Sequence, residues 1–275
     1  MSRYFRLWTA LGKYGLIREL TFRGNFLIKL TVEVLWLAVL LIFYRAVFQR
    51  MGDSADVNIA GWTEGKYLFY VGCHFALMGV LETLFLENCG QFADLIRTGD
   101  LDFFLLKPID EQFLITCRTI DWSTAPNVLM GGAVMIVALQ MEQWEFHLGK
   151  VLVFLLLFSC GVGIAYSFLL MLTASSVWLM RNQTLYEIWW LFGTLMRYPR
   201  DIFVKSNSPV ASNVGWFFTF IIPIMLVTNV PAGYMVMWQE DPFFLFFTLI
   251  VTVILLFVSR RVFRSALQHY RSASS

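Results

Sequence analysis

Charged side chains are scarce in this chain: they make up 15% of its 275 residues, where a soluble domain carries ~25%. That is too little to coat a water-facing surface, so an ordinary soluble enzyme is excluded. The net charge of +2 is too small to argue for a nucleic-acid partner. The four cysteines (Cys73, Cys89, Cys117, Cys160) are scattered without a C-x-x-C pair. They read as small packing hydrophobes rather than as a disulfide frame or a metal cluster. Neither a G-x-S-x-G elbow nor an H-E-x-x-H motif occurs. The nearest approach to a phosphate loop is Gly61-Trp-Thr-Glu-Gly65-Lys66-Tyr67. It has three residues between the glycines instead of four, and Tyr where a magnesium-holding Ser or Thr belongs. No fixed-period repeat and no Gly/Ser or Pro linker divides the chain, and a cleaved leader is not expected.

What fills the sequence is apolar. Hydrophobic residues reach 58%, aromatics 17%, and the mean hydropathy is +0.65. This is the composition of an all-α integral membrane protein. The few charges are segregated. Arg3, Arg6, Lys13, Arg18, Arg23 and Lys29 precede the first apolar run, Arg97, Lys107 and Arg118 lie between the second and third, and Arg260, Arg261, Arg264 and Arg271 close the chain. Acids mark the other loops: Asp53, Asp56 and Glu64, then Glu142 and Glu145, then Glu240 and Asp241. Basic short loops stay on the cytoplasmic side, so both termini and the 97–118 loop are expected inside, and the number of crossings is even.

Residues 1–25 alternate charge with Phe5, Trp8, Leu11 and Leu16, the pattern of a helix lying in the membrane interface. Unambiguous spans follow at about 26–48, 66–90, 113–140, 149–173 and 243–259. Lys29 and Glu33 are spaced to pair at the start of the first span, and Arg118 and Asp121 fall in the first turns of the third. Between 174 and 242, Leu185–Met196 and Trp216–Val230 compete for one crossing. Leu185–Met196 is short and bracketed by Arg181 and Arg197; Trp216–Val230 is more apolar but interrupted by Pro223 and followed by Pro231.

The most informative stretch is Asp94–Ile109. Gly99 suits the left-handed residue that closes a helix, and Asp100 suits the cap of the next. Leu101, Phe104 and Leu105 then share one face of a two-turn helix that Pro108 ends. Such a helix needs something to bury against, either lipid or a soluble subunit.

Arg97-Thr-Gly99-Asp-Leu101-Asp102-Phe103 followed by Leu106-Lys107-Pro108 resembles the R-x-G-x-L-D and L-x-K-P pattern of ABC-2 class ABC transporter permeases. The resemblance extends to the basic N-terminal segment, Phe22-Arg23-Gly-Asn25-Phe26 before the first span, and the basic C-terminus. It implies six transmembrane helices, with the 97–108 loop as a cytoplasmic coupling helix between helices 2 and 3. Arg97, Gly99, Leu101, Asp102, Phe104, Lys107 and Pro108 would then dock an ATP-binding subunit or fix the loop that does. It also implies a re-entrant outer hairpin at 210–236, marked by Pro223 and Pro231, with 176–198 as the fifth span. That choice leaves Arg197, Arg200 and Lys205 on the outer side, against the positive-inside trend. ATP and magnesium would be bound by the partner, and this chain would hold no cofactor or metal and catalyse nothing. A second permease copy or paralogue, membrane lipid and a bacterial inner-membrane location complete the expectation.

Other intramembrane groups carry weaker signals. Glu82 is a candidate for a substrate path because burying a carboxylate in lipid is costly. His74 shares its face at two turns' distance, too far for one metal ion, while Glu87 points elsewhere and reads as hydrated or paired with a basic residue of a neighbouring helix. Trp178, Tyr186, Trp189 and Trp190 form either an aromatic belt or a pathway wall. Two other classes stay open: a lipid-modifying membrane enzyme using Glu82, His74 or Asp121, and a secondary transporter, which the lack of an internal repeat disfavours.

Overall fold

The computed structural model describes residues 2–21, 23–51, 58–179, 183–237 and 242–270, and these are almost entirely helical. The acidic residues Asp53, Asp56, Glu240 and Asp241, and the basic residues Arg181 and Arg271, lie outside the described residues, as does 180–182 within the expected fifth span.

The helices are α1 (Ser2–Thr21), α2 (Arg23–Met51), α3 (Glu64–Leu81), α4 (Glu87–Gly90), α5 (Phe92–Thr98), α6 (Leu101–Leu105) and α7 (Glu111–Thr116). They continue as α8 (Pro126–Met141), α9 (Leu148–Leu179), α10 (Gln183–Met196), α11 (Arg200–Val204), α12 (Pro209–Phe220), α13 (Leu226–Val236) and α14 (Pro242–His269). A π turn, Glu82–Leu86, joins α3 to α4. Four stretches are long and apolar enough to cross a membrane: Arg23–Met51, Glu64–Thr98, Leu148–Leu179 and Pro242–His269. A fifth would be α12 with Pro223–Val236, but this pair is bent by 77°. On α2 and α14 large apolar side chains such as Ile42, Phe43, Val253 and Phe257 face outward, as lipid-facing surfaces require.

The third expected span departs most from the sequence reading. Helix α8 begins at Pro126, and 117–125 is not helical, so Arg118 and Asp121 sit in a connector rather than in the first turns of a span. The physical reason is local. The Asn88 side chain accepts from the Thr119 N–H (2.9 Å) and hydroxyl (2.6 Å) and donates to the Thr119 carbonyl (2.7 Å). Competing bonds of this kind hold the backbone out of a helix, and Pro126 then starts α8 at a position that needs no N–H. Lys29 does not pair with Glu33 either. It donates to Ser123 Oγ at 2.9 Å and lies 3.8 Å from Asp121.

Apolar burial does not drive helices together in lipid, so close backbone approach and polar contacts carry more of the packing. The most extensive helix pair is α3 against α8. A Cβ on Gly131 would stand 2.5 Å from the Ala76 nitrogen and 2.6 Å from the Gly72 carbonyl oxygen. A second close approach involves Pro231, which lies inside α13 and offers no N–H to the Val227 carbonyl one turn earlier. That carbonyl points at α9, where a Cβ on Gly161 would come within 2.4 Å of it. The glycine thus leaves room for the α9 backbone to lie against the acceptor that the proline freed.

The neighbouring glycines of α8 supply a matched test, because Gly132 has open space where Gly131 has backbone. Gly131→Val is expected to cost at least the ~1–3 kcal/mol typical of overpacking. Gly132→Val is expected to be near neutral. Thermal unfolding of both variants in the same detergent checks the difference.

Candidate functional site

One end of the bundle gathers α1, α4 to α7, and the C-terminal turns of α9 and α14. Asp110 is its hub. It caps α7 by accepting from the Phe113 N–H at 3.1 Å, and its other oxygen accepts from Arg260 of α14 at 2.7 Å. The Asp110 N–H donates to the Tyr4 hydroxyl of α1 at 3.2 Å. Below it, Phe92 and Leu101 pack with Phe263, Ala266, Leu170 and Ala174. Helix α1 lies against the connector through Gly12 and Gly15, with the Trp122 indole donating to the Gly12 carbonyl at 2.8 Å. Its Phe5 and Leu16 face outward. Glu87 has the basic neighbour expected of it, Arg18 of α1 at 3.6 Å.

The 97–108 loop rises from this base. Gly99 closes α5 in the left-handed region, at φ 79°. Asp100 does not cap α6; its carboxylate accepts from the Thr98 hydroxyl at 2.7 Å. The expected apolar face is turned inward: Leu101 is 0% exposed, with Phe104 and Leu105 packed beside it. The outward apolar side chains are Phe103 at 68% and Leu106 at 81% exposure. The Lys107 ammonium and the Arg118 guanidinium both lie over the Phe104 ring, at 4.6 and 5.3 Å from its centroid. Lys107 therefore braces the loop. Partial burial lowers the Arg118 guanidinium from its ordinary value, and the nearby Glu87 carboxylate works against that shift. Arg97 pairs with Asp94 at 3.2 Å on the surface, where such pairs contribute little. Asp102 is half-buried and Pro108 exposed.

A chain of polar contacts links this platform to the bundle interior. Tyr166 of α9 meets Gln112 and Thr116 of α7 at 2.9 and 3.1 Å. The connector is held by Asn88, as described, and by the Asp121 N–H donating to the Thr83 carbonyl at 2.9 Å. Thr83 belongs to the π turn, a geometry that interrupts the helical ladder and recurs at functional positions. The first residue of that turn is Glu82.

Glu82 faces a cavity of about 440 Å³ between α2, α3, α8 and α10. Glu33 and Trp36 of α2 form one wall, His74 of α3 and Asn127 of α8 the back, and Tyr186, Trp189 and Trp190 of α10 with Arg197 just after it the other wall. The Asn127 side chain interacts with both carboxyl groups. Arg197 lies over the Trp36 ring at 5.6 Å. Three of the four aromatics singled out in the sequence thus line the cavity, while Trp178 stands apart beside the His269 ring. Asp121 is not among the lining residues. No cluster of three metal-ligating side chains exists among the described residues. Pro223 begins a short 3-10 turn at the α12–α13 bend, and Pro231 is buried in α13; neither lines the cavity.

Sequence reasoning passed over Asn88, Asp110, Asn127 and Glu33 as a cavity residue. Asp110 was legible as an acid directly before a helix, ahead of Glu111. Asn88 and Asn127 carry no local signal, since their partners are 31 residues away or on other helices. Asn88→Leu is expected to keep the apolar packing but leave the Thr119 backbone without its partners. Hydrogen exchange at Thr119 to Asp121 is expected to rise at least tenfold, with exchange in α9 unchanged.

The comparisons with known proteins agree with the motif. A family model described as "ABC-2 family transporter protein" matches residues 34–274. No curated protein and no solved structure matches. With that match over most of its length and several apolar helices able to cross a bilayer, the chain belongs to the ABC-2 transporter family, as a multi-pass membrane permease.

Proposed function

We propose that the chain is the transmembrane subunit of an ATP-driven exporter, coupled through the 97–108 loop to a separate ATP-binding subunit. The observation that carries this reading is the α6 helix. Its inner face is anchored by Leu101, while Phe103 and Leu106 project from the end where both termini meet. Two exposed apolar side chains on and just after this short, braced helix suit a groove in a soluble partner. The partner binds ATP and magnesium, and the functional unit contains two permeases, either two copies or a copy and a paralogue.

In this reading six helices cross the bacterial inner membrane: α2, α3 with its continuation, α8, α9, α10 and α14. Both termini are cytoplasmic, and α12–α13 dips in from the outer side and returns. The 77° bend and the buried, proline-containing α13 favour a hairpin over a straight crossing. Helix α10 spans only 14 residues, about 21 Å at ~1.5 Å per residue. Tyr70, near the start of α3, supports an outer end for α10, because its hydroxyl donates to the carbonyls of Met196 or Tyr198 there (2.7 and 2.9 Å).

Coupling follows the polar chain. Movement of α6 displaces α7 through Asp110, and the connector carries that displacement to the π turn and Glu82. For ATP to drive the change, the ATP-binding subunit must bind the two permease states with different affinity.

Co-purification with an ATP-binding subunit co-expressed from the neighbouring reading frame tests the docking. Phe103→Asp and Leu106→Asp are expected to reduce capture at least tenfold without impairing insertion. Gly99→Val, strained at a positive φ, and Asp102→Arg are expected to abolish ATP-dependent transport while the protein still inserts. Unchanged transport by both would overturn the docking role. For topology, single cysteines at 212 and 238 in a cysteine-free background are expected to react with an impermeant maleimide from the outside, and one at 103 only after lysis. Labelling of 212 from the cytoplasmic side would make α12–α13 a crossing instead.

A further inference from the structure

The cavity beside Glu82 has a chemistry of its own. Glu33 and Glu82 face it from opposite helices, and among the described residues no basic group lies within ion-pair distance of either. Lys29, one turn before Glu33, is held by Ser123 and Asp121. Arg197 is held at the far wall over Trp36. Carboxylates in a membrane interior without a protein counter-charge are costly and mark function by default.

A second observation is independent of the acids. Four residues lining the same cavity have buried polar atoms without a hydrogen-bond partner: His74 Nδ1, Asn127 Oδ1, Trp189 Nε1 and Arg197 Nε. His74, Asn127 and Trp189 are only 5%, 3% and 3% exposed, so bulk solvent does not compensate them. Buried polar atoms left unpaired are costly, and four of them gather around this one cavity.

The arrangement is directional. The Asn127 side-chain amide donates toward both the Glu33 and Glu82 carboxyl groups. Two carboxyl groups without a basic partner fit a group that brings N–H bonds and a positive charge. The walls on either side, Trp36, Trp189 and Trp190, offer aromatic faces, which attract cations and bury flat apolar bodies. At about 440 Å³ the cavity holds one small organic molecule.

We propose that this cavity is a binding site for an amphipathic organic cation carrying a protonated amine. The ammonium lies between Glu33 and Glu82, and the apolar body lies between Trp36 and the α10 tryptophans. That such a cation is transported rests on the permease reading above; that it binds does not.

The test uses the full chain, without an ATP-binding subunit, in nanodiscs of zwitterionic lipid, with protein-free discs as baseline. The probes are 9-aminoacridine and acridine-9-carboxylate, one ring system with opposite charges, followed by fluorescence anisotropy. Saturable binding of the amine, at least tenfold tighter than of the carboxylate, is expected. Glu82→Gln and Glu33→Gln are each expected to weaken the amine at least tenfold, and Trp190→Leu, on an otherwise exposed wall, at least threefold. If a glutamate variant fails to fold, the Trp190 variant and the charge preference of the unmodified chain still decide. Equal binding of both dyes, or unchanged affinity in folded variants, would overturn the site. Capture of the ATP-binding subunit is measured on the same preparations. Intact capture with no amine selectivity sinks this inference alone, whereas amine selectivity without capture sinks only the coupling.

Discussion

The bundle depends on two places where backbones touch with no side chain between them. In water a helix is held by the apolar surface it hides, but lipid solvates leucine as well as a neighbouring helix does. Association must then come from dense packing and from polar groups that would otherwise be unpaired. Gly131 against Gly72 and Ala76 brings α3 and α8 to backbone contact, and Gly161 admits the Val227 carbonyl that Pro231 deprived of its helical donor. These contacts fix α8 and α13 on either side of the central α3–α9 pair. Helix α2, by contrast, buries only Leu37, Tyr44 and Phe48 and otherwise faces outward. The cavity beside Glu82 thus has one wall with few buried side chains.

Rigidity at the other end has a different origin. The platform beneath α6 is built from polar side-chain bonds, with Asn88 on the Thr119 backbone, Asp110 on the first turn of α7 and on Arg260, and Tyr166 on Gln112 and Thr116. Tyr166 and Arg260 tie α7 to the long helices α9 and α14. Short helices of five or six residues have no stability alone, so their positions are set by these links. The connector is bonded in turn to the π turn that joins α3 to α4, where the helical ladder is interrupted.

Much of this was legible in the sequence and some of it could not be. The apolar runs and segregated basic residues gave the class, and the R-x-G-x-L-D pattern gave the loop, because such signals are local. Leu101, Phe104 and Leu105 share a face by spacing, but its turn into the chain itself was not readable, because Phe103 and Leu106 make the other side apolar too. Only contact with Phe92 and Phe263 decides which side is hidden. The break at 117–125 was missed for a similar reason. Its cause, Asn88, lies on another helix, and the residues it interrupts are individually compatible with a span.

The same limit explains why the cavity was half seen. Glu82 stood out as an acid in an apolar run, whereas Glu33 was matched with Lys29 by spacing, which suggested that its charge was settled. Spacing within a helix counts only partners on that helix. The connector competes for Lys29 with Asp121 and Ser123, and it is present there because Asn88 keeps 119 out of a helix. One polar staple therefore has two effects: it braces the platform under α6, and it withdraws from Glu33 the cation that would have neutralised it. The electrostatics of the membrane cavity and the mechanics of the loop are set by the same few residues. A displacement of that connector would alter both together.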